Sequence, residues 1–304
     1  MKALIAIVTA AGLLAATSAF AADGNFDKTL NVSGSAILTV STGSGYIHVN
    51  SGSDNQIHIV AHLRASHSWI GPDADSRIKQ IVANPPIHQV GNIVTVGEHQ
   101  HDLDDLFRNI TIDYDVTTPK ATTLKVATGS GDVKASNLNS DLNAHTGSGD
   151  VQAENIAAKV HLETGSGSIH AHGVRGQADL QTGSGDIELQ ETAAGDVKAQ
   201  TGSGSIRLSG LSGGLHAGTG SGDITVNGQL TSDWKLDTGS GSVRLNVGSG
   251  SRFTLNAETG SGSLNIQQPV TMQGNINKHH ITGTVNGGGP TLRAQTGSGD
   301  ITIN

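Results

Sequence analysis

The stretch TGSGDVKASNLNSDLNAHTGSGDVQAENIAAKVHLETGSG, from Thr128 to Gly167, decides the fold. It holds three copies of Thr-Gly-Ser-Gly at 18-residue steps. The whole chain has ten, beginning at Thr42, Thr128, Thr146, Thr164, Thr182, Thr201, Thr219, Thr238, Thr259 and Thr296. From Thr128 to Thr259 the successive steps are 18, 18, 18, 19, 18, 19 and 21, and the last step, 37, reads as two periods. A fixed period of roughly 20 residues marks a stack of like units, each burying its apolar face only against its neighbours.

Counting from each Thr as zero, position +5 is apolar in every copy (Val133, Val151, Ile169, Ile187) and so is +7 (Ala135, Ala153, Ala171, Leu189). Position +6 between them is polar throughout, as in Lys134, Gln152, His170 and Glu188. Strict alternation is the mark of a strand with one buried face. A second alternating run precedes each Thr, as in Val160-His161-Leu162 and Trp234-Lys235-Leu236, and an apolar +10 (Leu138, Ile156, Val174, Leu211) adds a further inward position. The glycines at +1 and +3 supply positive φ at a sharp corner. Two strands and two corners in each repeat make one coil of a β-solenoid, single-stranded and β-helix-like; ten coils at about 4.8 Å give a rod of ~48 Å. The rival, a hairpin meander, has no crossover to cover its apolar face.

Residues 1–21 have the composition of a signal peptide: Lys2, an apolar run from Ala3 to Leu14, and Ala19-Phe20-Ala21 as the cleavage site. The domain expected to remain spans residues 22–304. Its side-chain charge would be −9, one below the −8 of the whole chain, because Lys2 is lost. That balance argues against nucleic acid or an anionic membrane as partner. No cysteine is present for a disulfide or a lipid anchor, and nothing after residue 21 is long and apolar enough to span a bilayer. The expected location is periplasmic or secreted. The 42 glycines and 3% aromatic residues would suggest disorder elsewhere, but here the glycines are periodic and the apolar positions regular.

Leu38-Thr39-Val40, Tyr46-Ile47-His48-Val49 and Ile57-His58-Ile59-Val60 already alternate as solenoid strands. An irregular insertion is expected over about 64–89, with a helix from Asp73 to Ala83 stopped by Asn84-Pro85-Pro86. Strands resume at Ile93, a polar loop covers 97–108, and regular coils occupy 120–304, the segment Val270 to Gly289 being a degenerate coil.

The segments Ile110 to Pro119, Leu124 to Val133, Asn286-Gly-Gly-Gly-Pro290 and Thr296 to Ile301 carry a resemblance to the bacterial DUF4097 proteins, named as adhesins with β-strand repeats. The resemblance covers most of the chain beyond the leader. It implies a β-solenoid of the cell envelope and offers no catalytic residue to transfer, since its motifs describe turns and strand entries.

Candidate chemistry is thin. Position +4 is Asp in five copies (Asp132, Asp150, Asp186, Asp223, Asp300), Ser in four (Ser168, Ser205, Ser242, Ser263) and Tyr46 in one. A calcium ladder would want several anionic oxygens; an Asp that alternates with Ser fits a side chain bonding backbone amides at a corner. The loop His99-Gln-His101-Asp-Leu-Asp104-Asp105 is the densest set of metal-ligating types, and reads as a solvated loop. His170 and His172 share one outer face, expected beside His145 and His161. Gly210-Leu211-Ser212-Gly213-Gly214 matches a hydrolase elbow, but a strand follows where a helix is required. The outward acids Glu154, Glu163, Glu188, Asp179, Asp237 and Glu258 are scattered among Lys and Arg, so no polysaccharide lyase or hydrolase site emerges. Trp234 and Phe253 read as core and Trp69 as exposed; a threonine ladder ordering water is a minor alternative.

These features define an exported, non-enzymatic, adhesin-like scaffold or interaction module of the envelope, with no catalytic, cofactor or metal residue assigned. Its partner would be an envelope polysaccharide or protein, met by the outer strand faces or by the Arg64 to Arg108 region. A carbohydrate-active enzyme and a calcium-binding repeat protein are the alternative readings.

Overall fold

A computed structural model describes residues 23–52, 55–65, 72–97, 104–248, 250–272 and 277–304. The two alternating runs of each repeat form two strands, one in each of two facing sheets of 13 and 14 strands. In the Thr146 coil these are Leu142–Ser148 and Val151–Ile156. Each strand pairs in parallel with its counterpart one coil away: Leu142 stands beside Val160, Ala144 beside Leu162 and Thr146 beside Thr164. Val151 and Ala153 stand likewise beside Ile169 and Ala171. The meander is thereby excluded and the chain is a β-solenoid. We call the sheet of strands just before and through each Thr the T face, and the sheet of strands from +5 onward the I face.

Like over like fills the space between the sheets. Val160, Leu162, Ile169, Ala171, Leu180 and Ile187 are all fully buried, and so are Leu138, Ile156 and Val174 at position +10. Each such aliphatic side chain contributes about 1.5–3 kcal/mol on burial. The ten threonines belong to this interior, at 0–7% exposure. Except for Thr42, which donates to the Ser44 and Ile112 carbonyls, their hydroxyls donate across the corner to the +3 carbonyl of the coil stacked beside them: Thr146 to Gly131 at 2.9 Å, Thr164 to Gly149 at 2.8 Å, Thr219 to Gly204 at 2.9 Å. A buried ladder satisfied by backbone cannot order surface water, so that alternative is set aside.

The two motif glycines have different reasons to be glycine. At +3, Gly149 has φ 150° and a Cβ there would lie 2.2 Å from the carbonyl oxygen of Gly131. At +1 the backbone needs no positive φ; Gly147 is required because a Cβ would meet the Gly129 carbonyl at 2.5 Å. The expectation of positive φ at both positions is corrected: the first glycine serves close stacking alone.

The coils do not stack in chain order. The Thr42 coil lies against the Thr128 coil, pairing Leu38 with Leu124 and Ile47 with Val133. At the other end the Thr296 coil sits between the Thr238 and Thr259 coils: Leu292 pairs with Trp234 on one side and with Leu255 on the other. The 37-residue step is therefore not two periods. Val270 to Gly289 is no coil, either: Val270–Thr271 and His280–Val285 are antiparallel strands closing the end of the T face. The 21-residue step from Thr238 to Thr259 is long because its connection strides over the inserted coil.

The first end is closed in the same manner. Asp23–Asn31 and Gln56–Ala65 run antiparallel on the I face, and Ile87–Val90 folds back on Ile93–Gly97 at the edge of the T face. Helix α1 (Pro72–Ala83) lies over Asp23–Asn31 and Gln56–Ala65 with Ala74, Ile78 and Ile81 buried. Its bounds agree with the sequence expectation to within a residue. A four-residue helix, α2 (Asp104–Phe107), occupies part of the expected polar loop. Antiparallel strands cap the T face at both ends and the I face at the first end, while the far end of the I face is the three-residue parallel strand Leu264–Ile266.

Candidate functional site

The corner after each second glycine carries a ladder of side-chain bonds between neighbouring coils. Asp132 Oδ1 accepts the amide of Asp150 at 2.9 Å, Asp150 that of Ser168 at 2.8 Å, Asp186 that of Ser205 at 2.8 Å and Asp223 that of Ser242 at 2.8 Å. These bonds join neighbouring coils, where the sequence suggested local turns. The backbone amide of Ser205 holds the Asp186 carboxyl below its ordinary range, helped by Arg207 at 3.1 Å. Asp223 is lowered by the Ser242 amide and by Arg244 at 2.7 Å. A carboxylate engaged in this way has its charge directed at backbone and guanidinium. The opposite corner repeats the device, with Asp196 accepting from Gly214 at 2.8 Å and Asp233 from Thr291 at 2.6 Å.

The outer faces carry rows of paired charge. On the T face, His145 meets Glu163 at 3.6 Å and His161 meets Asp179 at 3.5 Å, with Lys198 at 3.6 Å from the same carboxylate. On the I face, His170 meets Glu188 at 3.5 Å and Lys134 meets Glu154 at 3.1 Å. His145 and His161 thus lie on the opposite face from His170 and His172, against the expectation that all four were neighbours: residues before the Thr and residues after the corner belong to different sheets. The outward acids divide similarly. Glu154 and Glu188 are on the I face, and Glu163, Asp179, Asp237 and Glu258 on the T face. Among the described residues no group of three or more His, Cys, Asp or Glu could hold a metal ion. A T-face concavity of about 300 Å³ is lined by Lys125, Asn143, Lys159 and His161 with Asp141 and Asp179.

Most aromatics are core, as expected for Trp234 and Phe253, which are 1% and 0% exposed; the Trp234 indole donates to the Gly213 carbonyl at 2.9 Å. Among the described aromatics Tyr46 is the exception, taking the +4 place of the first coil and stacking on His48 with ring centroids 4.2 Å apart. Its hydroxyl donates to Asp115 at 3.0 Å, and burial together with that carboxylate pushes its pKa up to about 12. Ser212 lies between strands Ile206–Leu211 and Leu215–Ser221, so the hydrolase lookalike is a solenoid corner. Trp69 and the side chains of His99 to Asp105 lie outside the described residues, as do residues 1–21, expected to be a signal peptide.

Two buried charges were not foreseen. Asp113, 4% exposed, pairs with Arg64 and accepts the Tyr46 amide at 3.0 Å, which makes it the first step of the corner ladder. Glu191 is 3% exposed and neither carboxylate oxygen has a hydrogen-bond partner. Burial, followed by the charge of Asp196, pushes its pKa up to about 8. It stands in the ladder otherwise filled by Leu138, Ile156, Val174 and Leu211, next to Val174 across a register shift. The signal in the sequence was a 19-residue coil in which position +10, Thr192, is polar.

The fold and faces are those of a β-solenoid of stacked Thr-Gly-Ser-Gly coils. Residues 107–209 and 140–304 match the family model Toastrack DUF4097, and the protein belongs to that family. Among solved structures, the chain is similar to a "putative cell adhesion protein" from Clostridium sporogenes. That likeness has 12% identity and a TM-score of 0.30, over 92% of this chain and 98% of the other. It is also similar to a "putative adhesin" from Bacteroides fragilis, at 15% identity and a TM-score of 0.35, over 92% of this chain and 97% of that one. No curated protein matches the chain. No helix among the described residues is long and apolar enough to cross a membrane.

Proposed function

We propose that this protein is an exported, non-enzymatic scaffold, an adhesin-like interaction module of the bacterial cell envelope. The observation that carries the reading is the pair of outer faces, on which like positions recur at every coil. The T-face row Lys125, Asn143, His161, Asp179, Lys198, His216, Lys235 and Arg293 presents polar groups at a regular spacing of about 4.8 Å. A repetitive partner, such as an envelope polysaccharide, meets a polar hydrogen-bonding group at the same place on each step, so weak contacts sum along the rod. The leader composition of residues 1–21 supports export.

The Arg64 to Arg108 region is assigned a different task. With α1 buried on the first strands it acts as a cap, and the ligand surface is the T face. The test is co-sedimentation of the purified protein with isolated envelope and polysaccharide preparations, in calcium and in EDTA, with the supernatant assayed for released sugar. Binding in both conditions without sugar release is expected, and a Lys125→Glu, Lys159→Glu variant should weaken it at least tenfold. Sugar release would replace the reading with an enzyme, and binding lost in EDTA would replace it with a calcium-dependent module.

A further inference from the structure

The Thr296 coil occupies a slot that the rest of the chain builds for it. Its strand Thr291–Ser298 pairs with Trp234–Ser240 on one side and with Phe253–Ser261 on the other. Its strand Ile301–Ile303 lies likewise between Val243–Asn246 and Leu264–Ile266. Backbone bonds close both seams. Gly241 and Val243 donate to Ser298 and Asp300 at 2.9 Å, while Gly299 and Ile301 donate to Ser261 and Ser263 at 2.9 Å. Leu292, Ala294, Ile301 and Ile303 complete the core at 0% exposure.

Until residues 291–304 are in place, the slot is two facing parallel edges with their hydrogen-bonding groups unpaired. The connection between the Thr238 and Thr259 coils is longer than the connections of the regular coils, as a slot one coil wide requires. The entrant is joined to the body through Asn286, Gly287, Gly288 and Gly289, the first three in the left-handed region at φ 50°, 88° and 84°. That glycine-rich reversal is where the coil would turn as on a hinge. It bonds the body through the Asn286 side chain on the Ser251 carbonyl and the Pro290 carbonyl on the Thr254 amide, both at 2.9 Å. The coil itself brings its backbone, the Thr296 hydroxyl on the Gly241 carbonyl at 2.9 Å, and the Asp300 carboxylate on the Ser263 amide at 2.8 Å.

We infer that residues 291–304 are an exchangeable donor coil, and that the slot between the Thr238 and Thr259 coils accepts the same coil from a second copy of this chain. Exchange conserves the contacts made by residues 291–304 and changes only the hinge with its bonds to Ser251 and Thr254, so swapped and unswapped forms differ little in energy. Two copies that trade coils would be held by two complete sets of strand pairs.

The chain has no cysteine, which makes the test direct. Lys235 and Arg293 are exposed partners across one seam. Two full-length single variants, Lys235→Cys and Arg293→Cys, are unfolded, mixed at high concentration, refolded together and oxidised. Exchange predicts a disulfide-linked heterodimer of the two variants, several-fold above the yield from either alone, and a dimer of the unsubstituted chain by light scattering after the same treatment. A single chain carrying both cysteines gives an internal link under dilute refolding, which verifies the seam and that the substituted chain folds. Internal links in that variant with no mixed dimer and only monomer at high concentration would overturn the proposal. As a second measurement, removing Gly287 and Gly288 should raise the dimer fraction, since a shortened hinge disfavours return into the same copy; an unchanged monomer would count against exchange.

Discussion

Asp300 accepts the backbone amide of Ser263 at 2.8 Å, although it follows Ser263 by 37 residues. Its own amide faces the hydroxyl of Ser242 at 3.4 Å. In chain order the +4 residues of the last three coils read Ser242, Ser263, Asp300. In the stack they read Ser242, Asp300, Ser263, and from Ser168 onward serine and aspartate alternate without interruption. The alternation keeps carboxylates two coils apart, roughly 10 Å and near the screening length, while each still reaches a neighbouring amide.

This ladder makes Asp223 worth more than its half-exposed position suggests. Asp223→Ala should lower stability by about 1 kcal/mol, and Asp223→Ser by less, because the hydroxyl can still accept the Ser242 amide. Since the Asp186, Asp223 and Asp300 carboxyls lie below their ordinary range, they bind fewer protons folded than unfolded. Their stabilisation is present above the unfolded value of 3.8 and is lost as acid titrates the folded state. Chemical denaturation from pH 6 to pH 3 should show the loss, diminished in Asp223→Ala.

Glu191 has the opposite sign. Its pKa rises from 4.5 to about 8, so the folded chain keeps a proton that the unfolded chain has released. Stability should be greatest below about pH 4.5 on this account and fall as pH rises to about 8, by an amount on the order of a few kcal/mol. Glu191→Leu, which restores the ladder of Val174 and Leu211, should flatten that dependence and raise the midpoint of urea unfolding at pH 8. An unchanged slope between pH 5 and pH 8 would show that the carboxyl is not proton-bearing in the fold.

The buried threonines predict a repeating increment. Thr164→Val keeps the shape and removes the bond to the Gly149 carbonyl, for a loss of about 1 kcal/mol. Thr219 is three coils away, about 14 Å, so the loss in the double variant Thr164→Val, Thr219→Val should equal the sum of the singles.

Gly149→Ala should be far more costly than Gly34→Ala. Both glycines have positive φ, yet the first would bring its Cβ to 2.2 Å from a carbonyl oxygen while the second has nothing within 4 Å. Losses of at least about 3 kcal/mol and about 1 kcal/mol, respectively, are expected by urea denaturation.

At the first end of the rod, Ile81→Ala should cost about 2–5 kcal/mol, since the side chain is fully buried beneath α1. Removal of residues 66–86 should accordingly unfold the leading strands, seen as lost protection from hydrogen exchange in residues 23–31 and 56–65.

The period and its polar interruptions made the coil legible, since position-by-position alternation is a local property and the sheets only add neighbours to it. Even α1 was visible, because acidic residues start it and Asn84-Pro85-Pro86 ends it. Stacking order was not. Nothing local in Thr291 to Ile303 says which two coils it will join; that follows from seams formed with strands far earlier in the chain. The hidden side of the threonines was also missed, since a hydroxyl beside glycine reads as polar surface until its acceptor, a carbonyl one coil below, is in place. Glu191 was obscured because it stands at +9, and only the register shift beside Val174 puts it in the row filled elsewhere by +10.

The antiparallel strands at the two ends have a consequence for size. A parallel stack of identical coils has no intrinsic length, because every added coil presents the same edge as the last. Reversing chain direction at Asp23–Asn31 on the I face, and at Val270–Thr271 and His280–Val285 on the T face, replaces that edge and leaves only the three-residue strand Leu264–Ile266 parallel at an end, which fixes the count between the reversals. The molecule is thus a ruler with stops. Gain or loss of one 18-residue unit between Thr146 and Thr219 would change the separation of its ends by about 4.8 Å, leaving both stops intact.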